Sequence, residues 1–125
     1  MRNENLLNAI ETYFDAIYFC DVKLLDKVFH KDSSLFDVDE GSVLVDPIAS
    51  FRHDVDNRPS PASQNQVREE EIVMIDWLSQ KCATVKVRLR AHDNIFVDHL
   101  CFVEGEDGWC IVSKVWHLES VSKAA

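Results

Sequence analysis

The feature that most constrains this chain is a change of hydrophobic period near residue 67. Before that point apolar residues recur every three or four positions, and after it every second position. In residues 4–20, Leu6, Leu7, Ile10, Tyr13, Phe14 and Ile17 mark one buried face of a helix. Asp21 is placed to cap a second short helix, in which Val22, Leu25, Val28 and Phe29 repeat the pattern. The stretch SLFDVDEGSVLV breaks the helical period, carries an acidic turn at Asp39 to Gly41, and reads as two short strands. Asp46-Pro47 then predicts a helix start, with the acid as N-cap and proline at the first helical position. Ile48, Phe51 and Val55 give this third helix its apolar stripe, and the turn chemistry of NRPSPASQN ends it.

From Val67 onward, VREEEIVMIDWL, CATVKVRLRA, NIFVDHLCFVE and WCIVSKVWHL are strand-like runs separated by short breaks. Helices followed by an antiparallel meander make an α+β domain, and the apolar stripes of the helices must cover one face of a curved sheet. A chain of 125 residues, 46% hydrophobic and 28% charged, has the size and composition of one globular domain spanning 1–125.

Composition also excludes several functions. A formal charge of −9 disfavours nucleic acid and anionic membranes as partners, since both are held by basic surfaces. Lys86, Arg88 and Arg90 alternate with Val87 and Leu89 and read as the solvated face of a strand. No apolar run approaches the roughly 20 residues of a membrane span, and MRNENLLNAI lacks the basic start and apolar stretch of a secretory signal. The expected location is therefore cytoplasmic. Cys20, Cys82, Cys101 and Cys110 show no C-x-x-C and no spaced histidines, which points to reduced thiols. The pairs His53-Asp54 and His92-Asp93 lack the helical bundle that a metal phosphohydrolase needs. DVDEGSVLVDPI departs from a calcium loop, with glycine one place early and Ile48 at the twelfth position. No metal and no cofactor are expected.

The final hairpin carries the polar residues of interest. Asp107-Gly108 is a favoured two-residue turn. Counting back from it sets Phe102 against Ser113, Leu100 against Val115 and Asp98 against His117. One face then holds Phe96, Asp98, Leu100 and Phe102 with Trp109, Ile111, Ser113, Val115 and His117. The other holds Ile95, Val97, His99, Cys101 and Val103 with Cys110, Val112, Lys114 and Trp116. Both faces are too apolar to meet water, so one lies under the helices and the other is expected to meet a second subunit.

The pattern F-x-D-x-L-x-F…DGW-x-I-V-x-K-V-x-H and the order of elements resemble the nuclear transport factor 2-like superfamily. Within it, the branch labelled putative lumazine-binding or SnoaL-like is the most similar. YFDAIYFCDVKLLDKVFHKDSSLF resembles that branch's opening helices and first strand, with Lys31 where proline is common. The resemblance implies a cone-shaped fold: a strongly curved, mainly antiparallel sheet wrapped around a pocket closed by three helices. It implies that Asp98 and His117 line the pocket beside Trp109, with Tyr13, Phe14, Tyr18 and Phe51 as walls. It also implies a homodimer through the outer face of the sheet, using Val97, His99, Cys101, Val112, Lys114 and Trp116.

Three function classes follow. The favoured one is a binding domain for a small apolar or aromatic molecule. The second is a lyase or isomerase, resembling ketosteroid isomerases or dehydratases, with Asp98 and His117 as acid-base pair. The third is a dimeric interaction domain without chemistry.

Overall fold

A computed structural model of the chain describes residues 2–122. Helix α1 (Arg2–Phe19) turns through Asp21 into α2 (Val22–Val28), which runs directly into strand β1 (Phe29–Asp39). The Asp21 carboxylate accepts from the backbone N–H groups of Lys23 and Leu24, the cap expected for this helix. Strand β2 (Ser42–Pro47) follows a tight turn in which Glu40 and Gly41 both have positive φ, the geometry that matches strand twist. Helix α3 (Ile48–Asp56) comes next, then a loop with a short 3-10 turn at Ala62–Gln64. Strands β3 (Glu70–Ser79), β4 (Cys82–Ala91), β5 (Asn94–Gly105) and β6 (Gly108–Val121) complete the chain.

The strands form one open, curved six-stranded sheet in the order β2-β1-β6-β5-β4-β3. Neighbours are antiparallel except β1 and β6, which run parallel. The cone-shaped α+β architecture is thus realised, with the helices against the inner face. Leu6, Ile10, Tyr13, Phe14 and Ile17 of α1 are buried there, each contributing about 1.5–3 kcal/mol. Leu7 falls off this stripe and is exposed, because the α1 surface in contact with the sheet is narrower than the apolar pattern. Phe51 and Val55 of α3 and Val85, Val87, Leu89, Leu100, Phe102 and Ile111 of the sheet fill the rest of the core.

Two local expectations are corrected. Pro47, not Asp46, is the N-cap of α3, and no side chain caps that helix. Asp46 instead lies within β2 opposite Leu35, with its side chain free of capping duty. The final turn consists of Glu106 and Asp107 between Gly105 and Gly108, and the positive φ falls on Gly108 just after it. Among the described residues, no helix is long and apolar enough to cross a membrane.

Candidate functional site

The inner face of the final hairpin is set by an irregularity in β6. Moving the turn by one residue places Phe102 opposite Ile111, which preserves the expected faces. One step later Cys101 lies opposite Ser113, so Val112 is an extra residue, a β-bulge. Because side chains alternate with period two, one extra residue exchanges the faces of everything beyond it. Lys114 therefore points inward, between Leu100 of β5 and Leu35 of β1, and Trp116 lies opposite Asp98. His117 pairs with Val97 and is exposed on the outer face.

The expected Asp98–His117 pair is thereby overturned: the two residues occupy opposite faces of the sheet. Lys114 and Trp116 are likewise misplaced on the outer face by a regular register, and both line an internal cavity instead. Trp116 takes the position opposite Asp98 that His117 was expected to fill, and Lys114, two residues earlier on the same face, brings its amine to the carboxylate.

The cavity has a volume of about 270 Å³. Asp98, Tyr13 and Lys114 form its polar floor, and Phe51, Phe96, Trp116, Leu89, Ile17 and Leu35 its apolar wall. Asp46, Asp54, Arg58, His92 and Asn94 bring polar groups to its lining. Gln66 holds the backbone of His92 through both its N–H and its carbonyl, while the His92 ring reaches Gln64 and Pro59. The loop after α3 is thus fastened to the β4–β5 turn, and together they border the cavity.

On the floor, the Tyr13 hydroxyl donates to Asp98 Oδ2 at 2.5 Å. Lys114 Nζ lies 3.9 Å from the same oxygen. It also sits 5.2 Å from the ring centre of Tyr13 and 4.8 Å from that of Phe51, within range of cation–π attraction. All three residues are nearly inaccessible, with Asp98 only 1% exposed. Burial, followed by the charge of Asp98, pushes the Tyr13 phenol well above its ordinary range. Burial lowers the Lys114 amine; Asp98 and Asp46 pull it back up, while Arg58 pushes it further down. Among the described residues, nothing donates a hydrogen bond to Asp98 Oδ1. A buried carboxylate oxygen without a donor costs about 1–3 kcal/mol or more.

Of the residues expected in the pocket, Tyr13, Phe51 and Asp98 line the cavity. Phe14 is buried in the core beside Tyr13. Tyr18 donates to the Gln66 carbonyl at 2.5 Å and lies under Arg68, away from the lining. Trp109 points inward but lines a separate hollow at the other end of the sheet, with Asn5, Asn8 and Lys27. Sequence reasoning missed Arg58 and Asp46, which come from segments read as turn and cap, and Asp54, which lies in the third helix and reads in the sequence only as a metal ligand beside His53. It missed Lys114 because no residue type announces a bulge. Among the described residues, no group of three or more His, Cys, Asp or Glu is placed to hold a metal ion.

With this geometry established, comparison with known proteins decides the family. The family described as "Putative lumazine-binding" matches residues 1–117. The chain belongs to this family. The lumazine-binding description covers the helices, the whole cavity lining and the final hairpin through His117. Among solved structures, an NTF2-like protein of unknown function from Shewanella baltica OS155 superposes with a TM-score of 0.81 at 19% identity, over 94% of each chain. Another, from Silicibacter pomeroyi DSS-3, gives 0.76 at 22% identity, over 93% of this chain and 94% of that one. A ketosteroid isomerase-like protein from Erwinia carotovora atroseptica SCRI1043 gives 0.67 at 12% identity, over 90% and 92%. At identities this low, the superpositions establish a shared NTF2-like fold and nothing further. No curated protein matches the chain.

Proposed function

We propose that the chain binds a small, largely apolar heteroaromatic molecule inside the cone, with an N–H or O–H donor at its buried end. The observation that carries this reading is Asp98, which lines the cavity and whose buried Oδ1 has no donor among the described residues. A ligand donor would recover the cost of leaving it unmade, and a hydrogen bond to a charged group is worth about 1.5–3 kcal/mol. The aromatic wall of Phe51, Phe96 and Trp116 favours a planar ring. A cavity of about 270 Å³ fits a bicycle better than a drug-sized ligand. Lumazine, a planar bicycle with ring N–H donors, supplies the flat ring and the donor, though it is more polar than the wall, and it agrees with the family's description.

The test is thermal unfolding with saturating lumazine and with naphthalene, which has the shape but no donor. Lumazine is expected to raise the midpoint and naphthalene to do so much less. Equal shifts, or none with lumazine, contradict the reading.

The outer face of the sheet is proposed as the docking surface for a second copy of the chain. Its middle row runs Val45, Phe36, Val115, His99 across four strands, with Val43 and Val38 alongside. Val43, Val45 and Val115 are each more than half exposed, a contiguous apolar area of the kind that marks interfaces. In this proposal Val97, His99, Cys101 and Val112 lie in the interface, with Val115 and His117 in place of Lys114 and Trp116.

A further inference from the structure

We propose that Lys114 is a carbonyl-capturing amine, forming an imine with a small aldehyde or ketone that enters the cavity. The inference rests on the cavity's being a binding site and adds a covalent step to it.

The geometry sets Lys114 apart from the other described lysines. It is 7% exposed, yet it lines the cavity. Its Nζ makes no hydrogen bond among the described residues, its nearest charged partner being Asp98 Oδ2 at 3.9 Å. A structural buried lysine normally spends its ammonium on several short hydrogen bonds, because an unpaired buried charge is expensive. Here the nitrogen is flanked by the rings of Tyr13 and Phe51 instead. The groups that face it from every side are Tyr13 of α1, Asp46 of β2, Arg58 after α3, and Asp98 of β5. Burial, the largest influence, makes the Lys114 proton easier to lose, and Arg58 adds to this while the two acids oppose it. Desolvation of this kind is how a lysine becomes a nucleophile at ordinary pH.

The step balances without any further reagent. The neutral amine donates its lone pair to the carbonyl carbon, forming a C–N bond as the C=O π pair moves onto oxygen. One amine proton passes to that oxygen, giving a carbinolamine. The nitrogen lone pair then forms C=N as the C–O bond breaks, and the hydroxyl leaves with the second amine proton as water. Tyr13 and Asp98, joined by their 2.5 Å hydrogen bond, stand beside Nζ and can hand that proton on. The phenol stays protonated through the neutral range because burial and Asp98 hold it so, which keeps it a donor.

The experiment incubates the folded chain with benzaldehyde or cyclohexanone and sodium cyanoborohydride at neutral pH. Peptide mass spectrometry then locates the reduced adduct. Lys114 is expected to react at least about 10-fold faster than Lys23, Lys27, Lys31, Lys81 or Lys86, a barrier lower by about 1.4 kcal/mol. The preference should vanish in urea and in Lys114→Arg, whose fold is checked by circular dichroism. Should that variant fail to fold, competition of lumazine with benzaldehyde for Lys114 in the wild type serves instead, and lumazine should slow the labelling. Adducts on the other lysines with Lys114 unmodified would overturn the proposal. Lumazine stabilisation without a Lys114 adduct would leave binding intact and remove the imine. A Lys114 adduct without lumazine stabilisation would do the reverse.

Discussion

Lys114 Nζ and Asp98 Oδ2 face each other at 3.9 Å across adjacent strands because β6 carries an extra residue, Val112, between its pairings with Phe102 and Cys101. The pair is buried, and its third member is the Tyr13 hydroxyl. Removing one side of such a pair leaves an uncompensated charge. Asp98→Ala is expected to cost about 3–5 kcal/mol in urea unfolding, whereas Asp98→Asn combined with Lys114→Met should recover most of that loss. A double variant as unstable as Asp98→Ala would show that the pair is not the source of the cost.

The bulge makes an unusual prediction about chain length. Deleting Val112 should leave Ser113 opposite Cys101 and Lys114 opposite Leu100, so Lys114 stays inside. In a regular strand the same deletion would send Lys114 to the outer face. Protection of Lys114 from a bulky acylating reagent distinguishes the two: the deletion variant should be protected like the wild type.

The pH dependence follows from the direction of the Lys114 shift. Its folded pKa lies below the unfolded value of about 10.4, so between the two the unfolded chain binds more protons. Stability contributed by this site therefore rises with pH across that window, relative to Lys114→Met. Tyr13 acts in the opposite sense: its raised folded pKa means that stability is lost as pH climbs above about 10. Urea unfolding of wild type, Lys114→Met and Tyr13→Phe from pH 7 to 11 checks both signs. A wild-type curve parallel to that of Lys114→Met below pH 10 would contradict the buried amine.

The outer-face proposal is tested by Val115→Arg, at the middle of the row Val45, Phe36, Val115, His99. The wild type is expected to sediment as a dimer and the variant as a monomer with its fold intact. A monomeric wild type would remove the proposal.

The fold was largely legible in the sequence because periodicity carries it. The switch from period 3.6 to period two near Val67 marked off the four-strand meander β3–β6, and the break in helical period at SLFDVDEGSVLV marked β1 and β2. The Asp21 cap and the turn before Ser42 were readable from local chemistry. The site was legible only in part. Asp98 follows from strict alternation along β5, and Tyr13 and Phe51 from the buried stripes of α1 and α3. Lys114 was lost at Val112, because a bulge arises from the balance of twist and packing along two strands rather than from one residue type. Asp46 was lost because Asp-Pro is a strong capping signal, and the helix here begins one residue later.

The most direct test of the central claim is a calorimetric cycle on Asp98. Lumazine and its N-methylated derivatives without ring N–H donors would each be titrated into wild type and Asp98→Asn. Lumazine should bind the wild type best. Removing either the donor or the carboxylate should weaken binding about 10-fold or more, near 1.4 kcal/mol, and removing both should cost little beyond the larger single loss. Equal affinities in all four combinations would contradict the claim that Asp98 receives the ligand's donor.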